Sequence, residues 1–175
     1  MTRDDVAALL RAHVPADEKE SFDRSLMLDF LERLPEPFSS HQAEAHFTAS
    51  ALVLDAARTR ACLVLHRKLG LWLQPGGHVE EGDPTLAAAA LREVLEETGL
   101  AGSVASDAPI QLDVHEIPER GPVAAHLHLD VRFLVIAAGD ELVLSEESHD
   151  VRWWPIAEAS EAGDESLARL VRAAV

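Results

Sequence analysis

GGHVEEGDPTLAAAALREVLEETGL, residues 76–100, places a well-marked helix behind a paired-glycine loop. Asp83 is a favoured N-cap residue, Pro84 suits the first helical position and Gly99 a helix stop, so the spacing predicts a helix over 84–98. On a wheel of about 100° per residue, Glu93, Glu96 and Glu97 share one face, with Ala88, Leu91, Val94 and Leu95 on the other. Like charges three or four residues apart repel by a few tenths of a kcal/mol each, and the C-terminal end of a helix dipole disfavours anions further. Arg92, one turn before Glu96, offsets part of this, but one guanidinium cannot neutralise three acids. A divalent cation could. Carboxylates are hard oxygen donors of the kind that suit magnesium or manganese. Upstream, Gly76 and Gly77 let backbone groups approach a ligand with no side chain between.

The rest of the chain bounds what such a site serves. At 175 residues it is one domain by length. A formal net charge of −16 opposes binding to duplex nucleic acid, so a phosphate-bearing substrate must be drawn in by local cations or a bound metal. No apolar run is long enough to span a bilayer, and the N-terminus MTRDDVAALLRAHVP lacks the apolar core of a secretory signal, which gives a cytoplasmic expectation. The single cysteine, Cys62, lies in the apolar run ACLVL and reads as a buried structural thiol.

Outward from the central helix, the pattern is strands flanked by helices. Val6, Leu9, Leu10 and His13, then Phe22, Leu26, Phe30 and Leu34, form two helical stripes that end at Pro35 and Pro37. Residues 1–40 are therefore expected to be a helical extension packed on a domain at 41–175. Its stripes need burial against that domain or against a partner, a homodimer being one arrangement. Strand character marks 46–55, 60–67, 71–74, 111–117 and 124–138, and 142–155 leads to a C-terminal helix from about Ser166. The class is α+β or α/β, with no dinucleotide-binding or P-loop glycine pattern.

In 124–138, His126, His128, Asp130 and Arg132 alternate with Leu127, Leu129, Val131 and Phe133. Such a polar face belongs either to an edge strand or to the lining of a cleft beside the metal site. A histidine-based zinc site lacks a third soft ligand at suitable spacing. His78, next to Gly77, either meets a phosphate or caps the loop.

The stretch 76–100 resembles the Nudix box, G-x5-E-x7-R-E-U-x-E-E-x-G-U with U aliphatic. Arg92, Glu93, Val94, Glu96, Glu97, Gly99 and Leu100 fit its second half. Two departures fall in the first half. Counting from Gly77, the first acidic position holds Asp83 in place of Glu, and eight residues separate it from Arg92 where the pattern has seven, an insertion expected to be absorbed at the helix start. The resemblance implies a mixed sheet sandwiched between helices and a magnesium- or manganese-dependent hydrolase of a nucleoside diphosphate linked to another moiety. Glu93, Glu96 and Glu97 become metal ligands, Gly77 offers its carbonyl, and Arg92 orients the carboxylates. Glu93 is a candidate general base. A further acid is expected in LSEESHDVRWW, with Glu147 favoured over Glu146. Gly76, Gly77, His78, His126, His128 and Arg132 are the expected substrate contacts. The rival reading is a Nudix-like module that binds a nucleotide without cleaving it. Isopentenyl diphosphate isomerase, on the same fold, is disfavoured because Cys62 lies in a strand. ADP-ribose, nucleoside triphosphates, dinucleoside polyphosphates and nucleotide sugars all stay open as substrates.

Overall fold

Two long strands, β1 (Ala45–Leu54) and β7 (His126–Ala137), run parallel from Ala45 beside Leu127 to Leu54 beside Ile136 in a computed structural model that describes residues 1–67, 69–121, 123–146 and 148–174. They form the middle of an eight-stranded mixed sheet. The outer edge of β7 is taken by β6 (Gln111–Ile117) and β5 (Gly102–Val104), both antiparallel to it. The free edge of β1 is divided between β4 (Gly76–His78) and β2 (Arg60–His66). Strand β2 also pairs with β8 (Ser148–Pro155) and the short β3 (Trp72–Leu73).

Alternation along the central strands builds two cores. Phe47, Ala49, Ala51 and Val53 of β1 and Leu129, Val131, Phe133 and Val135 of β7 face one cluster. They are covered there by α3 (Leu86–Thr98) and by the apolar residues of α1 (Arg3–Ala12) and α2 (Glu18–Arg33). Leu52, Leu54 and Leu134 face the other way, onto Ala159 of α4 (Ile156–Ala162) and Leu167, Leu170 and Val171 of α5 (Glu165–Ala174). The sheet is thus enclosed by helices on both faces, the α+β class expected. Strands buried on both faces read as continuous apolar runs, which is why β1 showed in the sequence. The two- and three-residue strands β3, β4 and β5 carry too few residues for any periodic signal, and β4, β5 and α4 were not anticipated.

Helix α2 differs from its expected stripe. Phe22 is 67% exposed, and the buried positions are Met27, Phe30 and Leu31 together with the carboxylates of Glu20 and Asp23. These acids serve the backbone of β6: the Leu112 N–H donates to Glu20 Oε1 at 2.8 Å and the Val114 N–H to Asp23 Oδ2 at 3.2 Å. The open edge of the sheet is thereby satisfied by a helix and does not invite another strand. Arg3 donates to the carbonyls of Leu31 and Leu34, closing the C-terminal end of α2 against α1. Val6 and Leu10 of α1 and Met27, Phe30 and Leu31 of α2 are buried within the subunit, whereas Phe22 faces outward. Among the described residues no helix is long and apolar enough to cross a membrane.

Candidate active site

Helix α3 begins two residues later than its sequence markers suggested. Its N-cap is Thr85, whose hydroxyl accepts the Ala88 N–H at 3.0 Å, and not Asp83. The reason is a turn in which the Asp83 N–H donates to the Glu80 carbonyl and the Asp83 side chain accepts the Glu80 N–H at 2.8 Å. Gly99, with φ +73°, ends the helix as expected.

The wheel also needs correction. The buried stripe of α3 is Leu86, Ala89, Ala90, Val94, Glu97 and Thr98, whereas Leu95 is exposed. Glu97, only 8% exposed, therefore belongs to the inward face, where it accepts the Gly76 N–H at 3.1 Å. One turn earlier, Glu93 lies against Gly77: a Cβ on that glycine would come within 2.7 Å of Glu93 Oε1. Gly76 is held as closely on its other side, since a Cβ there would meet the Ser50 Cβ at 2.2 Å. The glycine pair is thus what lets β4 slide between β1 and the glutamates. Glu96 faces outward.

Arg92 joins these parts. Its Nη1 donates to Glu93 Oε1 and Glu96 Oε2, each at 2.9 Å, and its Nη2 to the His78 carbonyl at 2.8 Å. Nε and Nη2 donate to Asp83 at 3.2 and 3.0 Å. The Asp83 hydrogen bonds, and then Glu93, hold the guanidinium above the ordinary arginine value. Burial pushes the Asp83 carboxyl up, but the Arg92 and Glu80 hydrogen bonds overcome it and keep the pKa below its usual value. So a single cation bridges two of the three clustered carboxylates and anchors them to the loop. The donor set suits a hard divalent cation, because a near-buried, a half-buried and an exposed carboxylate sit beside a strand with no side chain in the way.

Glu147 lies outside the described residues. Glu146 is exposed in the loop before β8, and that loop is docked on the end of α3 through the Val143 N–H, which donates to the Thr98 carbonyl at 2.8 Å. Cys62 is fully buried, and burial followed by the charge of Glu97 pushes its thiol up to about 12.

The polar face of β7 is not a solvent edge, since the strand is central. Its partners are polar too. The pairings His46 with His128, Thr48 with Asp130 and Ser50 with Arg132 in β1, and Gln111 with Arg132, Asp113 with Asp130 and His115 with His128 in β6, make one polar surface across the sheet. Arg132 departs from the expected substrate contact. It is 2% exposed and donates to Asp130 at 2.8 Å, Gln111 at 2.9 Å and Asp113 at 3.0 Å, so it is an interior tie between strands. His126 and His128 instead join His46, His78 and His115, with neighbouring ring centroids 4.9 to 5.5 Å apart. Burial, then repulsion from neighbouring rings, lowers His46 to about 4 and His128 to about 2. His46 and His115 went unrecognised in the sequence, although the polar alternation His46, Thr48, Ser50 matches that of His126, His128, Asp130. A groove of about 660 Å³ opens between residues 35–41 and Val79–Glu81.

A family model described as NUDIX domain matches residues 44–174. The MutT protein from Methanosarcina mazei Go1 has a similar structure, with a TM-score of 0.60 at 19% identity over 76% of this chain and 94% of that one. A NUDIX-family hydrolase from Clostridium perfringens gives 0.58 at 21% identity, covering 73% and 95%. The NUDIX domain of Shewanella oneidensis NrtR, solved in complex with ADP ribose, gives 0.54 at 22% identity, covering 83% and 94%. At these identities the likeness is one of fold. Among curated proteins none matches by sequence.

Proposed function

The chain belongs to the NUDIX family, hydrolases of phosphoric anhydrides that generally use divalent metals, and from that premise we propose a magnesium- or manganese-dependent pyrophosphohydrolase cleaving the diphosphate linkage of a nucleoside diphosphate derivative. The observation that carries this is the seating of Glu93 and Glu97 against the Gly76-Gly77 strand, with Arg92 tying Glu93 to Glu96. A binder of nucleotides needs no such set of carboxylates.

When bound, a divalent cation supplies neutralisation of the diphosphate and a lowered pKa for the attacking water. Glu93, Glu97 and the Gly77 carbonyl are the groups that would hold it, with Glu96 completing the set from the solvent side. Arg92 fixes the direction of the Glu93 and Glu96 carboxylates, so less reorganisation is needed as charge develops. The reaction forms one bond from water oxygen to phosphorus and breaks one bridging phosphorus–oxygen bond. The water proton passes to a carboxylate, Glu93 or the further acid expected at Glu147 or Glu146, and the leaving phosphate departs as an oxyanion. Net charge of −16 makes local neutralisation a condition for any phosphate to approach. The relative solved with ADP ribose supports a nucleoside diphosphate derivative as the class of substrate.

The test is a panel of ADP-ribose, nucleoside triphosphates, dinucleoside polyphosphates and nucleotide sugars, each with magnesium and with manganese, following phosphate or monophosphate release. Cleavage of at least one member, abolished by chelation, is expected. Tight binding of one member with no cleavage of any would establish the rival binding module.

A further inference from the structure

We infer that His46, His78 and His128 form a second metal site, a three-imidazole centre for a zinc-like divalent cation, on the opposite side of β4 from the glutamates. The three side chains come from three strands. His46 of β1 lies beside His128 of β7, and His78 of β4 reaches the same face one position along, opposite Thr48. One ring nitrogen from each lies within 4.8 Å of the others. A tetrahedral zinc ion with metal–nitrogen bonds of about 2.0–2.1 Å sets its ligands roughly 3.3 Å apart, a closure that small ring rotations supply.

His46 carries the argument further. Its Nδ1 lies 3.4 Å from the Gln42 carbonyl, which can only accept, so Nδ1 carries the hydrogen and Nε2 presents a lone pair. The residue is 1% exposed, and among the described residues Nε2 has no hydrogen-bond partner. A buried acceptor left unsatisfied is destabilising, and here it faces two more imidazoles. A backbone carbonyl holding the far ring nitrogen is also the usual support of a metal-bound histidine. An anion is a poor occupant. The lone pair that His46 Nε2 presents suits a cation and repels an anion. Nitrogen donors prefer zinc and its neighbours to magnesium, so this centre and the carboxylate centre select different ions.

Three protein ligands leave a coordination position open on the exposed His78 side, for water or an oxygen of a ligand. The ion would also brace β4, whose Gly77 lies against Glu93. This inference stands apart from the hydrolase reading, because it concerns other residues and another ion.

The test uses the full chain without a polyhistidine tag, stripped of metal and dialysed against Zn²⁺, with Co²⁺ as a visible-absorption probe. One equivalent of Zn²⁺ is expected, with Co²⁺ giving the intense bands of a four- or five-coordinate nitrogen-ligated ion. His78→Ala, at an exposed position, and His128→Gln should each weaken binding about 100-fold or more while the circular dichroism spectrum stays native. Glu97→Gln should leave both readouts unchanged. No Zn²⁺ uptake by the wild-type chain, uptake that survives both histidine variants, or uptake lost only in Glu97→Gln would each overturn the assignment. His46→Ala is the confirming variant. Because it empties a buried position, native circular dichroism is the condition for reading it.

Discussion

Gly77 is where the site's geometry depends on a missing atom. A methyl group there would come within 2.7 Å of Glu93 Oε1, and the three nearest atoms all belong to that carboxylate, the flexible end of its side chain. Gly77→Ala should therefore leave thermal unfolding nearly unchanged while lowering kcat about 10- to 100-fold, since displacing a reacting group by about 1 Å has that scale of effect. Wild-type turnover in this variant would show that Glu93 does not act from its observed position. At this scale the sequence was informative about residue identity and weak about direction. It named Glu93, Glu96 and Glu97, but it placed all three on a face opposite the core, whereas Glu97 is buried beside Val94 and Thr98. A wheel reports angles around an axis and not how deep β4 lets one edge of the helix sink. Arg132 was legible as a charged residue and illegible as an interior one, because its partners Asp113 and Gln111 lie on another strand.

At the scale of the element, α3 is capped by a residue other than the Asp83 that its sequence markers indicated. Thr85 caps the helix, and Asp83 anchors Arg92. Thr85→Ala should lower stability by about 1 kcal/mol with rates unaffected, the usual cost of a lost N-cap. Asp83→Ala should lower turnover about tenfold or more by releasing the guanidinium that directs two glutamates, as loss of a supporting hydrogen bond does at metal sites. Urea unfolding and initial rates on the two variants check both, and the opposite assignment of effects would restore Asp83 as the cap. The helix was readable because proline, glycine and capping residues mark its ends locally, to within two residues. Strand β4 was not, for three residues carry no period, and its position depends on Gly76 fitting against Ser50. The histidine cluster was hidden for a related reason: His46 and His128 meet through a parallel pairing of strands remote in sequence, for which no turn signals the partnership.

Across the whole molecule, Asp113 holds several elements together. It accepts from Lys19 of α2 at 2.9 Å, Arg132 of β7 at 3.0 Å, Ser166 of α5 at 3.1 Å and Arg169 of α5 at 3.2 Å. Burial pushes its carboxyl up, but the His115 hydrogen bond and the charges of Arg132 and Lys19 more than reverse this and hold it far below the ordinary range. A depressed folded pKa means that the stabilisation is complete above the unfolded value of about 3.9 and drains away as pH falls below it. Asp113→Asn should therefore cost about 3 kcal/mol near neutrality and flatten the loss of stability below pH ~4, as seen by urea unfolding from acid to neutral pH. An unchanged acid limb would mean that another carboxylate governs it. Two centres then share one sheet, the carboxylates of α3 on one side of β4 and the imidazoles on the other, and the claim on which function depends concerns the first. Its most direct test is the initial rate of hydrolysis of the best-cleaved nucleoside diphosphate derivative against magnesium concentration, for the wild-type chain and for Glu97→Gln. The wild type should saturate with metal, and the variant, folded with native circular dichroism, should fall by about two orders of magnitude or more. Equal rates in the two proteins at every magnesium concentration would contradict the account.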